Sequence, residues 1–456
     1  MDRRNFRVSD CLERPAVPRA ADLIIRNIGQ LLTLRVLPKR PGRPAGADGV
    51  SATEPGWLGL IEDAVVAVRN GCVLAAGSRT DVEPHLAEKQ DTVIIDAAGG
   101  VVSPGLVDPH THLLFAGWRE AEFALRLEGR TYLEILASGG GILSSVARFR
   151  AASDEELLRW GRSALDRMLL SGTTTVEAKT GYGLDAAQEL RALRLYRRLG
   201  AEHPVTVVST FLGAHAVPAE YRNRPSAAAA YLDEVCLPLL SEIAGEGLAE
   251  FCDVFCEAGV FGVAEARRLL TAAARLGLPG KLHADEFEPT GGAELAAELG
   301  AVSADHLARA SDRGLEAMAR AGVTAVLLPV TTFTLGLRDY APARKMLDLG
   351  LEVALGTDFN PGTSPVESMP LVMGIACRAL RLTPAETFRA ATVAAARAVG
   401  LEGRAGQIQA GVPADLVIFE ATDYRQVPYR LGTNLVRTVL KNGKIVVSEG
   451  RLRRRR

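Results

Sequence analysis

Hydrophobic and polar positions change rhythm twice along the chain. From Ala21 to about Gly100, short apolar runs alternate with Gly and Asn turns in ADLIIRNIGQLLTL, DAVVAVRNGCVLAAGS and DTVIIDAAGG. This predicts a small β module with ordered strands over 21–34 and 59–100. Between them RPGRPAGADGVSATEPG, residues 40–56, is rich in Pro and Gly and has no period, which predicts a surface loop. From Val101 short β-rich runs are separated by longer helical stretches, the pattern of a parallel sheet with crossover helices. Eight runs can be read: VVSPGLVDPHTH, TTTVEAKTG, PVTVVSTFLGAHA, EFCDVFCEAG, GKLHADEF, AVSADHL, VTAVLLPV and EVALGTDFNPG. They predict a closed (β/α)₈ TIM barrel over 101–400.

One intervening helix carries its own start signal. Ser153 followed by Glu156 predicts a capping box, after which Leu157, Leu158, Leu165, Met168 and Leu169 recur on one face. After Leu401 the β rhythm returns in AGVPADLVIFEATDY and LVRTVLKNGKIVVSEG, the latter with a hairpin signal at Asn442 and Gly443. Residues 1–100 and 401–456 are therefore expected to build one β-sandwich domain beside the barrel, an α/β chain overall.

Composition narrows the partners. Among 456 residues, 48% are hydrophobic and 23% charged, and the formal net charge is -1, which argues against a general nucleic-acid binder and for a small-molecule partner. The RLRRRR end reads as a solvated, frayed terminus. Six scattered cysteines (Cys11, Cys72, Cys236, Cys252, Cys256, Cys377) form no paired framework and fit a reducing compartment. Cys252 and Cys256 read as buried small apolar residues. The first twenty residues lack the apolar centre of a signal peptide, and no apolar run reaches the roughly 18 to 20 residues that cross a bilayer. A soluble, cytoplasmic protein is expected, without a membrane partner.

The working residues of a barrel sit at the carboxyl ends of its strands. Five of the seven histidines lie there: His110 and His112 after strand one, His215 after strand three, His283 at strand five with Asp285 and Glu286, and His306 at strand six with Asp305. Strand eight ends in Asp358 and Asn360. Residues two apart on a strand point the same way, so His110 and His112 can turn ring nitrogens onto one ion. A histidine from strand five and an aspartate from strand eight complete an N,N,N,O set suited to Zn²⁺ or Fe²⁺. An ion so held brings the pKa of bound water near 7. Asp358 can both ligate and relay the proton, while His306 and Glu286 can stabilise an oxyanion and protonate a leaving nitrogen.

The motifs GLVDPHTH, KLHADEF, SADHL and LGTDFNPGT resemble the amidohydrolase superfamily. Taken in order with HTHLLFAGWRE, EAKTGYGL and TFLGAHA, they resemble its imidazolonepropionase family over nearly the whole chain from Ala21. The resemblance implies hydrolysis of the ring amide of 4-imidazolone-5-propanoate to N-formimidoyl-L-glutamate, a step of histidine degradation. It implies one ion per subunit, Zn²⁺ or Fe²⁺/Fe³⁺, on His110, His112, His283 and Asp358. It also implies substrate contacts from Arg119, Tyr132, Tyr182, His215, Glu286, Asn360, Gly362 and Thr363, and a homodimer. Arg119 offers a planar fork for a propionate carboxylate and Tyr182 a hydroxyl.

Two other functions share the fold. A hydrolase of another cyclic amide, or of a purine or pyrimidine base, would keep the metal site but has no obvious use for a carboxylate clamp. A noncatalytic scaffold would be expected to lose ligands, and here none of the four is missing. Some amidohydrolases bridge two ions with a carboxylated lysine on the fourth strand. Lys179 lies on the second strand and the fourth ends in Cys256 and Glu257, so one ion is expected, with Lys179 in an ion pair or orienting a loop.

Overall fold

The computed structural model describes residues 19–34, 56–130, 134 and 140–453. The 1–18 stretch, nearly all of the 40–56 insertion, Tyr132, Cys11 and the last three arginines lie outside the described residues.

The chain opens with five strands, β1 (Arg19–Leu32), β2 (Leu60–Arg69), β3 (Cys72–Ser78), β4 (Leu86–Asp96) and β5 (Val101–Pro104). The barrel follows, as β6 (Leu106–Asp108), β7 (Thr173–Lys179), β8 (Thr206–Ala214), β9 (Phe251–Cys256), β10 (Gly280–Ala284), β11 (Ser303–His306), β12 (Thr324–Leu327) and β13 (Val353–Leu355). Four strands return to the first module, β14 (Leu416–Phe419), β15 (Val436–Lys441), β16 (Lys444–Ser448) and β17 (Arg451–Leu452).

Both chain ends build one mixed sheet in the order β17-β16-β15-β14-β5-β1-β2-β3, with β4 parallel to β1. Strand β5 joins the halves, parallel to β1 and antiparallel to β14. Residues 101–104, grouped above with the first barrel run, therefore belong to this sheet. Both edges of β5 are filled by small-domain partners, and the crossing to the barrel falls at Gly105. There a Cβ would overlap the Thr174 side chain, so only glycine lets the chain pass so close to β7.

Ile25, Leu31, Val66, Val102, Ile418 and Leu440 share one apolar core between the halves. The sheet curls until the β2–β3 and β15–β16 turns meet, since a Cβ on Gly443 would stand 3.0 Å from Gly71 Cα. Asn442 and Gly443 both adopt positive φ, +48° and +71°, as the tight hairpin requires.

The barrel strands pair in parallel with their sequence neighbours from β6 to β13. The seam between β13 and β6 closes just beyond the strands. Asp358 N donates to His110 O at 3.0 Å, and His112 N to Phe359 O at 2.8 Å. Below it the buried Asp108 carboxylate accepts from Thr357 N at 3.0 Å and from its hydroxyl at 2.6 Å. Burial nevertheless pushes this carboxyl up to about 6.

The helix Asp154–Leu170 has the capping box at Ser153 and Glu156, and buries Leu157, Leu158, Leu165, Met168 and Leu169. Cys252 and Cys256 are buried free thiols. Among the described residues no helix is long and apolar enough to cross a membrane.

Candidate metal centre and active site

Closing the barrel at this seam brings the histidine pair of strand one against the aspartate of strand eight. Asp358 Oδ1 lies 3.5 Å from Nε2 of His110 and 3.4 Å from Nε2 of His112. From β10, His283 completes a group with His110 and His112 whose ligand atoms all lie within 4.8 Å of one another, and His306 forms a second such group with His110 and Asp358. All five side chains are nearly inaccessible.

His110 Nε2 and both ring nitrogens of His283 are buried without a hydrogen-bond partner. Unpaired buried nitrogens are unfavourable by themselves. Two adjoining groups of imidazoles and a carboxylate that share His110 offer the donor set of a bound divalent ion. The strand ends are bent to achieve this. Asp358 and His306 adopt φ of +53° and +73°, a left-handed geometry that non-glycine residues keep where the surroundings enforce it.

A buried charge network supports the imidazoles from the barrel interior. Asp305 Oδ2 is 2.6 Å from Nδ1 of His110, and Asp253 Oδ2 is 3.1 Å from Nδ1 of His283, though not aligned for a hydrogen bond. Lys179 lies between these acids, 2.7 Å from Asp253 and 3.2 Å from Asp305, with Glu177 at 3.1 Å. Lys281 binds the other oxygen of Glu177 at 2.6 Å. Lys179 thus sits on the second strand in ion pairs, as expected. Burial opposes its charge, but Asp253, Glu177 and Asp305 outweigh burial and raise its pKa. Burial pushes His112 down to about 4. His110 is raised to about 9, because Asp305 and Asp358 outweigh burial and the nearby Lys179.

Around the mouth, the His215 ring stacks on His112 with centroids 4.7 Å apart, and Tyr182 lies 5.7 Å from His215. His215 Nδ1 donates to Gly181 O at 3.1 Å, which leaves Nε2 as an acceptor. Gly181 has φ of +109°, and a Cβ there would come within 2.6 Å of the His215 ring. Glu286 Oε1 is 3.4 Å from His306 Nδ1. Burial, with the charges of Asp358 and Glu257, pushes Glu286 well above the usual carboxylate range, and burial drives His306 well down. Burial thus disfavours the charged form of both partners.

Arg119 is held by Glu122 through Nε at 3.0 Å and Nη2 at 2.6 Å. A Cβ on Gly362 would overlap its guanidinium. Asn360 uses its side chain to fold its own loop, donating to Asp358 O at 2.7 Å and accepting from Gly362 N and Thr363 N at 2.9 and 2.7 Å.

A family model described as the amidohydrolase family matches residues 124–447. An imidazolonepropionase of Bacillus velezensis is 50% identical over 432 residues, 95% of this chain and 98% of the relative. The chain belongs to the imidazolonepropionase family of amidohydrolases. A second imidazolonepropionase, of Symbiobacterium thermophilum, is 48% identical to this amidohydrolase over 438 residues, 96% of the chain and 100% of the relative. In fold it is similar to an adenosine deaminase from Xanthomonas campestris with bound zinc. The TM-score is 0.69 at 21% identity, covering 96% of each chain. Atrazine chlorohydrolase from Arthrobacter aurescens, complexed with zinc, matches with TM-score 0.67 at 17% identity, covering 94% of this chain and 96% of that one.

Sequence reasoning gave no role to several residues that shape this amidohydrolase's site. The carboxylate of Glu257 accepts from the backbone N–H groups of Glu286, Phe287 and Glu288 at 3.1, 3.0 and 3.2 Å, fixing the loop that carries Glu286. Buried Glu189 does the same for the Tyr182 loop, accepting from Gly183 N and Leu184 N, both at 2.9 Å. Arg126 Nη2 donates to Gly362 O at 3.1 Å, and burial together with the Arg119 charge lowers its pKa. One signal for the interior network was available: charges at alternate positions of apolar strands, as in VEAK, CDVF, GKLHA and SADH.

Proposed function

We propose that this amidohydrolase hydrolyses the ring amide of 4-imidazolone-5-propanoate to N-formimidoyl-L-glutamate. One water is added, the ring C–N bond breaks, the carbonyl carbon becomes a carboxylate, and the released nitrogen takes a proton. The observation that carries this reading is the pair of guanidiniums, Arg119 bound to the carboxylate of Glu122 and Arg126 bound to Gly362 O, both against the loop that follows Asp358. That surplus positive charge suits a substrate with an anionic side chain and has no counterpart in a neutral purine or pyrimidine. The curated relatives at about 50% identity bear the name of this activity.

In this reading His110, His112, His283 and Asp358 hold one zinc or iron ion per subunit. Such an ion acidifies bound water and polarises a carbonyl oxygen. Asp358, whose Oδ1 faces the imidazoles, accepts the proton of the attacking water. Protonated Glu286 donates toward His306 Nδ1, leaving the far N–H of His306 to hydrogen-bond the oxyanion that develops on the ring carbonyl. Glu286 then gives its proton to the leaving ring nitrogen. His215, an acceptor at Nε2, takes a ring N–H of the substrate, and Tyr182 and Arg119 orient the propionate. Asn360, Gly362 and Thr363 form the loop against which the substrate rests.

The test is ring-opening activity that disappears on chelation and returns with zinc or iron. Metal-replete protein inert toward this substrate would reject the assignment, and deamination of a purine or pyrimidine by the same preparation would favour the alternative.

A further inference from the structure

The helix Pro329–Thr334 begins almost directly after β12, with proline in its first turn, so the chain passes from strand to helix without a connecting loop. This places Thr331, 3% exposed, over the barrel mouth. Its hydroxyl donates to Asp358 Oδ2 at 2.6 Å. A helical threonine commonly turns its hydroxyl back to the carbonyl four residues earlier. Here that carbonyl, Leu327 O, already accepts from Gly356 N at 3.1 Å. One turn on, the Thr334 hydroxyl donates to the carbonyl of Thr363. Two hydroxyls thus stitch the strand-seven helix to both ends of the strand-eight loop.

We propose that Thr331 is a positioning residue for the metal centre, holding one oxygen of Asp358 so that the other stays turned toward His110 and His112. The side-chain torsion of an aspartate is broad and roughly two-fold, so the carboxylate itself does not distinguish its two oxygens. The Thr331 hydroxyl does. It fixes Oδ2 and leaves Oδ1 at 3.5 and 3.4 Å from the two Nε2 atoms. The inference rests on Asp358 being a ligand of the ion, and outer partners of this kind tune affinity as well as rate.

Thr331→Val keeps the shape and removes the donor, whereas Thr331→Ser keeps the donor. The affinity of metal-stripped full-length protein for zinc, read by competition with a chromogenic chelator, is expected to fall about 10- to 100-fold in Thr331→Val and to recover in Thr331→Ser. Reloaded with zinc, Thr331→Val should lose kcat with little change in KM. Zinc binding as tight as in the parent, or a Thr331→Ser variant no better than Thr331→Val, would overturn the proposal. Should the valine variant fail to fold, Thr331→Ala set against Thr331→Ser makes the same comparison. Zinc affinity is measured without substrate, so a wrong substrate assignment leaves this result standing.

Discussion

Asp305 Oδ2 lies 2.6 Å from Nδ1 of His110, with both side chains fully buried. A carboxylate on one ring nitrogen fixes the imidazole's orientation and tautomer and leaves Nε2 free to face an ion. Asp305→Asn should therefore lower zinc affinity by about 10- to 100-fold, measured by chelator competition. An unchanged affinity would show that His110 is held by packing alone.

Glu286 is pushed above the ordinary carboxylate range by burial and by the Asp358 and Glu257 charges. An acid that must be protonated to act is competent below its folded-state pKa and fails as pH rises through it. The alkaline limb of kcat/KM is accordingly expected to belong to Glu286. Glu286→Gln should lose about 10²- to 10⁴-fold in kcat and flatten that limb. If the limb persists unchanged in the variant, another group supplies the proton.

Arg119 is prepositioned by Glu122, and Gly362 leaves room for its guanidinium. Losing a charge-assisted hydrogen bond removes about 1.5–3 kcal/mol, or roughly 10- to 150-fold in kcat/KM. Arg119→Met should show this chiefly in KM. Gly362→Ala should reproduce much of it, because the added Cβ would displace the guanidinium. Steady-state kinetics on both variants checks the pair, and parent-like KM values would remove Arg119 from the substrate site.

Lys179 holds three acids in the barrel interior, all of them fully buried. Taking away one partner of a buried ion pair is unfavourable by about 3–5 kcal/mol, since the remaining charges stay in a poorly solvating interior. Lys179→Met should show a loss of this size in urea unfolding. A loss below about 1 kcal/mol would mean that water reaches the network.

How much could be read in advance follows from the range over which each signal acts. The eight barrel strands, the Ser153 cap and the Asn442–Gly443 hairpin rest on spacings of two to four residues, and all three are present in the structure. The strand-end histidines were legible for the same reason, since a barrel sends the end of every strand to one face. Residues 101–104 misled because an apolar strand of four has the same pattern in either sheet. Only the competing partners β1 and β14 decide where it pairs.

The sequence by itself determined the inventory: which elements form, which side chains carry chemistry, and which family the motifs belong to. Local propensity and the alternation of side chains are enough for that. Tertiary structure alone decided the pairings across long separations. Asp305 meets His110 across 195 residues, Lys179 meets Asp253 across 74, and Thr331 meets Asp358 across 27. Such contacts leave no spacing to read, because barrel closure, and not the chain between them, sets the distance between the partners.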